Sequence, residues 1–199
     1  MKKENIYQRY KTKRRFIVGM CIIILFFLYM FKNSSFLVRA LSAIGFLVVF
    51  YLIDHFFDLD FKHYHYGFIV IIAISSFLLS PLYYVYPQYD KIQHFVQPIM
   101  FASIVFHMIS QLDLKLKWKI VFTFFVVIGC LGIFELGEFL LDYLYDLKLQ
   151  GVYLRDVQGL EKYNILMDRN DDTMVDMSLG VLGSLVYSFS VYFYLRRKK

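Results

Sequence analysis

Long apolar runs, separated by short charged segments, constrain the fold of this chain more than any other feature of its sequence. A helix that crosses the hydrocarbon core of a bilayer needs about 20 predominantly apolar residues. Six such runs occur, near 16–31, 36–57, 66–86, 90–110, 119–145 and 172–195. Hydrophobic residues make up 59% of the chain, against about 45–50% in soluble domains. We therefore expect an all-α polytopic membrane protein, a single domain of six transmembrane helices over residues 1–199, and exclude a soluble globular domain.

The distribution of positive charge predicts how the helices are oriented. The formal net charge is +6, and Lys and Arg concentrate in segments 2–15, 111–119 and 196–199, whereas segment 55–65 holds only Lys62. Short loops rich in Lys and Arg face the cytoplasm. Six spans place all three basic segments on one side, so both termini are predicted to be cytoplasmic and the long loop 148–171 to lie outside. The concentration of positive charge in loops and termini also argues against nucleic acid as a partner.

Ionisable side chains within the apolar runs are the candidates for function. A charged residue at the centre of a membrane helix costs roughly 2.5–3.5 kcal/mol on insertion scales, so its presence needs a reason. In the fourth predicted helix, Asp90, His94 and Gln97 fall on one face at helical spacing. Pro98 follows them, and its ring clashes with the carbonyl of His94, which predicts a kink at the histidine.

Carboxylates also line one face of the fifth predicted helix and the start of the sixth. Glu135, Glu138 and Asp142 are spaced i, i+3 and i+7, and Asp172 and Asp176 share a stripe at i and i+4. Because helices four and six are predicted to run inward and helix five outward, all of these acids converge on the outer end of the bundle. Like charges this close together repel unless a positive group neutralises them.

Glycines accompany these acids on both helices. On the sixth helix, Gly180 and Gly183 continue the acidic stripe, and we expect them to let that face pack tightly inward. On the fifth helix, Gly129, Gly132 and Gly137 are expected to permit the close approach of a neighbouring helix. The acidic faces of the two helices are therefore predicted to point into the bundle.

The converging acids predict a metal site at the outer end of the bundle. A divalent cation offsets their repulsion most simply, and oxygen ligands with one imidazole suit Mg, Mn, Ca, Fe or Zn, so the identity of the ion stays open. The available cations, Lys91, Arg155 and Arg169, do not form a cluster strong enough to replace it. The predicted metal ligands are Asp90, His94, Glu138, Asp172 and Asp176, and the predicted catalytic residues, as general base or further ligand, are Glu135 and Asp142.

Structural roles are an alternative explanation for several of these residues. Asp90 and Asp172 stand where N-caps stand, and capping accounts for an Asp there as often as function does. His94 would then simply hydrogen-bond a neighbouring helix, and Glu135 would pair with a nearby cation. Segment 168–172 begins like a calcium-binding loop but is not followed by the glycine and the closing glutamate of that pattern. The depth of Glu135, and the Asp four residues before His94, favour function for these two residues.

Three pieces of the sequence resemble a family of uncharacterised bacterial inner-membrane proteins, the YjdF type, which is distantly similar to VanZ-like proteins. The pieces are DKIQHF from Asp90, FELGEFLLD over 134–142 and NDDTMVDMSLGVLG over 170–183. The first three predicted helices agree with the family in hydropathy alone. The resemblance implies a multi-pass protein of the bacterial plasma (inner) membrane with a role in the cell envelope, and it supplies no established reaction.

These observations lead to three hypotheses of function. In the preferred one, the extracytoplasmic acidic and histidine site holds a metal ion and acts on or binds the headgroup of a lipid or cell-envelope precursor in the lipid bilayer. In the second, the same acids form the relay of a cation or proton transporter, which needs a polar path that continues inward. In the third, the protein is a noncatalytic membrane scaffold or an immunity-type binding protein. The scarcity of polar groups below Glu135 favours a one-sided site.

Overall fold

The computed structural model describes residues 2–31, 34–145, 149–155 and 163–197 of the chain. The chain divides into two compact units, Met1–Ser80 and Pro81–Lys199, which we call unit 1 and unit 2. Unit 1 contains α1 (Lys2–Phe31), α2 (Ser34–Phe57) and α3 (His63–Ala73), and α3 continues as a π-helical turn, Ile74–Leu78. A 3-10 turn, Ser80–Tyr84, leads into unit 2. Unit 2 contains α4 (Gln88–Ser110), α5 (Leu116–Tyr145), β1 (Val152–Arg155), β2 (Tyr163–Met167) and α6 (Arg169–Arg197).

Within the described residues, five helices are long and apolar enough to cross a membrane. They are Tyr10–Phe31, Phe36–Phe57, Gln88–Ser110, Leu116–Tyr145 and Arg169–Arg197. Most of their large apolar side chains are exposed, as a protein needs when lipid rather than water surrounds it. The all-α polytopic membrane fold predicted from the sequence is therefore confirmed, while the side of the membrane on which each loop lies stays a prediction.

The third apolar run forms a shorter helix than the predicted span of 66–86. Its apolar helix is His63–Leu78. The Ser75 hydroxyl donates to the backbone oxygen of Ile71 at 2.8 Å, next to the π-helical turn, and the Ser80 hydroxyl donates to that of Phe77 at 2.9 Å. Pro81 then disfavours helical backbone at the residue before it. Serine side chains that compete for backbone oxygens, followed by a proline, explain why the regular helix ends there.

Unit 1 is organised around Asp54, whose side chain is completely buried near the end of α2. One carboxylate oxygen of Asp54 accepts from Lys13 Nζ at 2.8 Å and from the Tyr66 hydroxyl at 2.6 Å. The other accepts from the backbone N–H of Phe61 at 3.1 Å. The Tyr10 hydroxyl contacts the backbone oxygen of the same aspartate at 3.1 Å. One carboxylate therefore joins α1, α2, α3 and the turn between α2 and α3.

The turn between α2 and α3 is shaped by left-handed backbone at two aspartates. Asp58 and Asp60 have φ angles of 48° and 50°, a region that Asp tolerates better than most residues. Asp58 accepts from the Tyr10 hydroxyl at 2.8 Å, and Asp60 pairs with Lys13 at 3.5 Å and with Lys62 at 3.1 Å. Segment 55–65, in which Lys62 is the only Lys or Arg, thus contributes two acids, Asp58 and Asp60, to a network that fixes α1.

In unit 2, α4 and α6 run in the same direction and α5 runs against both. Lys91, early in α4, contacts Asp172 at the start of α6, and further along the same helices Phe95 meets Gly183. On α5 the order is reversed, since Glu135 near its end faces His94 while the earlier Val127 packs among Ala102 and Val105. This arrangement brings the starts of α4 and α6 to the end of α5.

Glycines allow close helix packing on the predicted face of α6 but not on the predicted face of α5. A Cβ atom on Gly183 would overlap the backbone oxygen of Phe95, and one on Gly180 would overlap the side chain of Leu131. The prediction that this stripe of α6 packs tightly inward is confirmed. For Gly129, Gly132 and Gly137 the prediction was wrong within the part of the chain that is described, because no atom lies within 4 Å of a Cβ built there. The inward face of α5 is instead the row that contains Thr123, Val127 and Glu135.

The predicted loop 148–171 contains a β-hairpin. β1 and β2 pair antiparallel, with Val152 opposite Met167. Residues 146–148 and 156–162 lie outside the described part of the chain, as does the side chain of Arg155. α6 begins at Arg169, before the predicted start at 172, because a carboxylate oxygen of Asp168 accepts from the backbone N–H of Asp171 at 2.9 Å, as an N-cap does. The calcium-loop-like pattern is thereby explained as a helix start.

Candidate functional site

Lys91 lies at the centre of the acidic end of unit 2. Its ammonium group contacts Asp90 Oδ2 at 3.1 Å, both oxygens of Asp176 at 2.8 and 2.9 Å, and Asp172 Oδ1. One lysine therefore ties the first turn of α4 to the first two turns of α6. Lys91 was expected to be one of three available cations too weak to replace a metal, but its side chain reaches three carboxylates.

His94 lies between carboxylates from all three helices. Its Nε2 atom is 3.4 Å from Asp90 Oδ1 and 3.9 Å from Asp176 Oδ2, and its Nδ1 atom is 3.7 Å from Glu135 Oε1. The predicted convergence of these four residues at one end of the bundle is therefore present in the structure. α4 continues as an α-helix to Ser110 with Pro98 inside it, and the kink at His94 stays a prediction.

Asp172 and Asp142 bind backbone N–H groups. Asp172 uses Oδ1 for Lys91 and Oδ2 for the backbone N–H of Gly151 at 2.7 Å. Asp142 accepts from the backbone N–H groups of Leu149 at 2.8 Å and Gln150 at 3.0 Å, one on each oxygen. Both oxygens of Asp142 are occupied in this way, which favours a structural task, and its predicted catalytic role stays a prediction.

Glu138 lies one turn beyond Glu135 on α5, partly buried, and close enough to Glu135 and His94 to interact with them electrostatically. Gln97, predicted on the same face as His94, donates from its side-chain nitrogen to the side-chain oxygen of Gln93. Arg169, the third predicted cation, begins α6 and is exposed.

Three of the predicted ligands are placed to hold one metal ion together. One ligand atom each from Asp90, His94 and Asp176 lie within 4.8 Å of one another. In a tetrahedral zinc site, bonds of about 2.0–2.1 Å place neighbouring ligand atoms about 3.3 Å apart, and the two distances from His94 Nε2 are 3.4 and 3.9 Å. Glu138 and Asp172, the other two predicted ligands, do not belong to this group among the described residues.

The side chains that α4 contributes to the cluster are more exposed than those from α5 and α6. The side chains of Asp90 and Lys91 are each 21% exposed and that of His94 is 12% exposed. Those of Glu135, Asp172 and Asp176 are 7, 5 and 3% exposed. A ligand would therefore reach Asp90, Lys91 and His94 first.

Two neighbours of the cluster were not predicted as site residues. Gln150, 6% exposed, donates from its side-chain nitrogen to the Thr173 hydroxyl at 2.9 Å. Tyr83 packs edge to face on Tyr89 with ring centres 5.3 Å apart and lies within electrostatic range of Asp90 and Glu138. Neither residue sits on an acidic helix face, so helical spacing gave no signal for them.

Comparison with known proteins identifies one family. A family of predicted membrane proteins, DUF2238, matches residues 14–197. This range includes every site residue described above. No curated protein and no solved structure matches the chain.

Proposed function

The chain belongs to the DUF2238 family of membrane proteins, and on that premise we propose that unit 2 binds a divalent cation through Asp90, His94 and Asp176. Through that ion it binds, or acts on, the anionic headgroup of a membrane lipid or envelope precursor. The observation that carries the proposal is the group of three ligand atoms within 4.8 Å of one another. Two carboxylates and one imidazole form a donor set that suits Mn, Fe or Zn.

The two oxygens of Asp90 support a cation site beside Lys91. Oδ2 faces the ammonium group of Lys91 at 3.1 Å, and Oδ1 faces His94 Nε2 at 3.4 Å. A cation held by Oδ1 and Nε2 would leave the lysine contact with Oδ2 in place. Lys91 would then orient the carboxylates from outside the coordination sphere, as second-shell partners of metal ligands do.

The balance of charge also favours a bound cation. Five carboxylates, those of Asp90, Glu135, Glu138, Asp172 and Asp176, surround one lysine and one histidine. When all five carboxyl groups are ionised, negative groups outnumber positive ones even with His94 protonated, and like charges in a partly dry site repel strongly. A divalent ion would reduce this repulsion.

An anionic headgroup fits the accessible side of the site. Lys91, His94 and Asp90 are its exposed members, and the N-termini of α4 and α6 both lie there, where helix dipoles favour negative charge. A metal ion and Lys91 together would neutralise a phosphate that the bare acids repel. In a hydrolytic reaction the ion would polarise the phosphoryl oxygen, and Glu135 would serve as general base.

The test is the metal content of the detergent-purified protein by inductively coupled plasma mass spectrometry. We expect near-stoichiometric Mn, Fe or Zn in the native protein and its loss in His94→Ala and Asp176→Asn. Asp113→Asn, a change at an exposed carboxylate in the α4–α5 turn, is the matched control. Native protein that stays empty after reconstitution with Mg, Mn, Zn and Ca overturns the proposal.

Proton or cation transport is the second candidate, because His94 joins Asp90 and Asp176 on one ring nitrogen to the deeper Glu135 on the other. Further along the helices, however, the hydroxyls of Thr123 and Ser184 donate to backbone oxygens of their own helices. Uptake of protons by liposomes that contain the protein, lost in Glu135→Gln, would favour transport over headgroup binding.

A further inference from the structure

Three consecutive residues, Leu149–Gly151, form a short segment that joins α5 to α6 by backbone hydrogen bonds, and we call it the strap. The N–H groups of Leu149 and Gln150 donate to the two oxygens of Asp142 at 2.8 and 3.0 Å. The next N–H group, that of Gly151, donates to Asp172 Oδ2 at 2.7 Å. The strap is thus held by one carboxylate from each helix.

The backbone of Gly151 makes this arrangement possible. Its φ angle is 91°, a conformation that glycine adopts readily and other residues adopt at a cost. The N–H group of Gly151 points to Asp172 of α6, whereas the two preceding N–H groups point to Asp142 of α5.

Asp172 connects the strap to the cation site. Its Oδ2 accepts from Gly151, and its Oδ1 contacts the ammonium group of Lys91. Lys91 in turn contacts Asp90 and both oxygens of Asp176, two of the three candidate ligands. The contacts are continuous from Asp142 through the strap to the candidate ligands.

We infer that Asp142 and Gly151 are positioning residues for the cation site, which they orient through the strap, Asp172 and Lys91 without contacting the ion. This inference rests on the proposed function. Asp142 lies outside the group of ligand atoms that can meet at one ion, and its oxygens are occupied by backbone N–H groups. Partners of this second-shell kind typically change metal affinity about 10- to 100-fold when they are removed.

The test is a double-mutant cycle on the affinity for Mn²⁺, measured by electron paramagnetic resonance of the free ion. Asp142→Asn replaces one accepting oxygen with a donor and is expected to weaken Mn²⁺ binding about tenfold. Asp168→Asn is the matched control, because Asn keeps the N-cap of α6 and leaves the strap intact. In a Lys91→Met background the effect of Asp142→Asn should vanish, since the path through the lysine is already broken.

An equal loss of Mn²⁺ affinity with and without Lys91 overturns the inference, because Asp142 would then act by another route. Gly151→Ala, which displaces the third N–H group, replaces Asp142→Asn in the cycle if that variant fails to fold. The rate of acylation of Lys91, followed by mass spectrometry without metal, should rise severalfold in either variant and stay constant in Asp168→Asn.

The acylation rate separates the two proposals. Native protein that binds no Mn²⁺ contradicts the proposed cation site, and a raised acylation rate in Asp142→Asn would still support positioning by the strap. Bound Mn²⁺ together with an unchanged acylation rate leaves the cation site standing and overturns the role of the strap.

Discussion

Each unit of the molecule places a lysine among aspartates, and the two clusters differ in charge balance and in access. In unit 1 the side chains of Lys13 and Asp54 are 2% and 0% exposed, and each oxygen of Asp54 accepts a hydrogen bond. In unit 2 Lys91 is 21% exposed and shares its ammonium group among three aspartates, with two glutamates and a histidine close by. The central ion pair of the first cluster is buried, whereas the second cluster is partly exposed and holds five acidic side chains against one lysine and one histidine.

This difference is the one we expect between a structural cluster and the proposed binding site. A buried ion pair whose hydrogen bonds are all made gains nothing from a further ligand, and its removal exposes an uncompensated charge. An ionised acidic group without a positive partner at the end of membrane helices costs stability unless it takes up a proton or a cation binds there. We therefore interpret the cluster of unit 1 as a structural network and propose that of unit 2 as the binding site.

The largest expected effect is on the network of unit 1. Asp54→Asn or Lys13→Met should lower the free energy of unfolding by about 3–5 kcal/mol, because one buried charge loses its partner. Lys62→Met, which breaks the exposed pair with Asp60, should cost at most about 1 kcal/mol. Denaturation in mixed micelles, followed by circular dichroism, measures both.

Metal content provides the control for that comparison. Asp54→Asn protein that remains folded should retain the metal of the native protein. A loss of metal with unit 2 intact would contradict the separation of the two clusters.

A smaller effect is expected for Lys91→Met in unit 2. Without metal, loss of the charge-assisted hydrogen bonds should lower stability by about 1.5–3 kcal/mol. Added Mn²⁺ should restore stability, since an ion that binds only the folded protein at 100 times its Kd stabilises it by about 2.7 kcal/mol. Thermal unfolding of the variant with EDTA and with Mn²⁺ measures the difference in stability. Equal unfolding curves under both conditions would show that Mn²⁺ does not replace the positive charge of the lysine.

The convergence of the acids in unit 2 could be predicted from the sequence, because helical spacing and the alternation of helix direction were sufficient. Asp90, His94, Glu135 and Asp176 lie on stripes that face one another once α5 runs against α4 and α6. The place of Lys91 could not be predicted in this way. It lies about 100° around the helix from Asp90, off the acidic stripe, and it reaches the acids through a long flexible side chain.

The network of unit 1 was missed for a different reason. Lys13 and Asp54 lie near the ends of apolar runs, where charges are common and need no partner. Their pairing depends on a turn in which Asp58 and Asp60 adopt left-handed backbone. Neither position is a glycine, so the sequence gives no signal of this turn. The strap likewise depends on Gly151, which the sequence placed in a loop of no assigned structure.

A change in packing alone tests whether the site of unit 2 depends on helix spacing. Gly183→Ala should destabilise the protein by about 1–3 kcal/mol, because the new methyl group overlaps the backbone oxygen of Phe95 and separates α6 from α4. Gly132→Ala has open space and should be neutral or stabilise the helix by up to about 1 kcal/mol. Thermal unfolding compares the two, and metal affinity should fall only in Gly183→Ala.

The smallest expected effect is that of Glu138→Gln. This variant tests whether three side chains of unit 2 hold the cation or whether the wider set of acids is needed. Glu138 lies outside the group of three ligand atoms, so the variant should keep one metal ion per chain. Without metal it should be slightly more stable than the native protein, because one of several mutually repelling carboxylates is gone. Asp176→Asn should instead lose the ion. Loss of metal in Glu138→Gln, measured by mass spectrometry, would mean that the wider set of acids predicted from the sequence holds the cation.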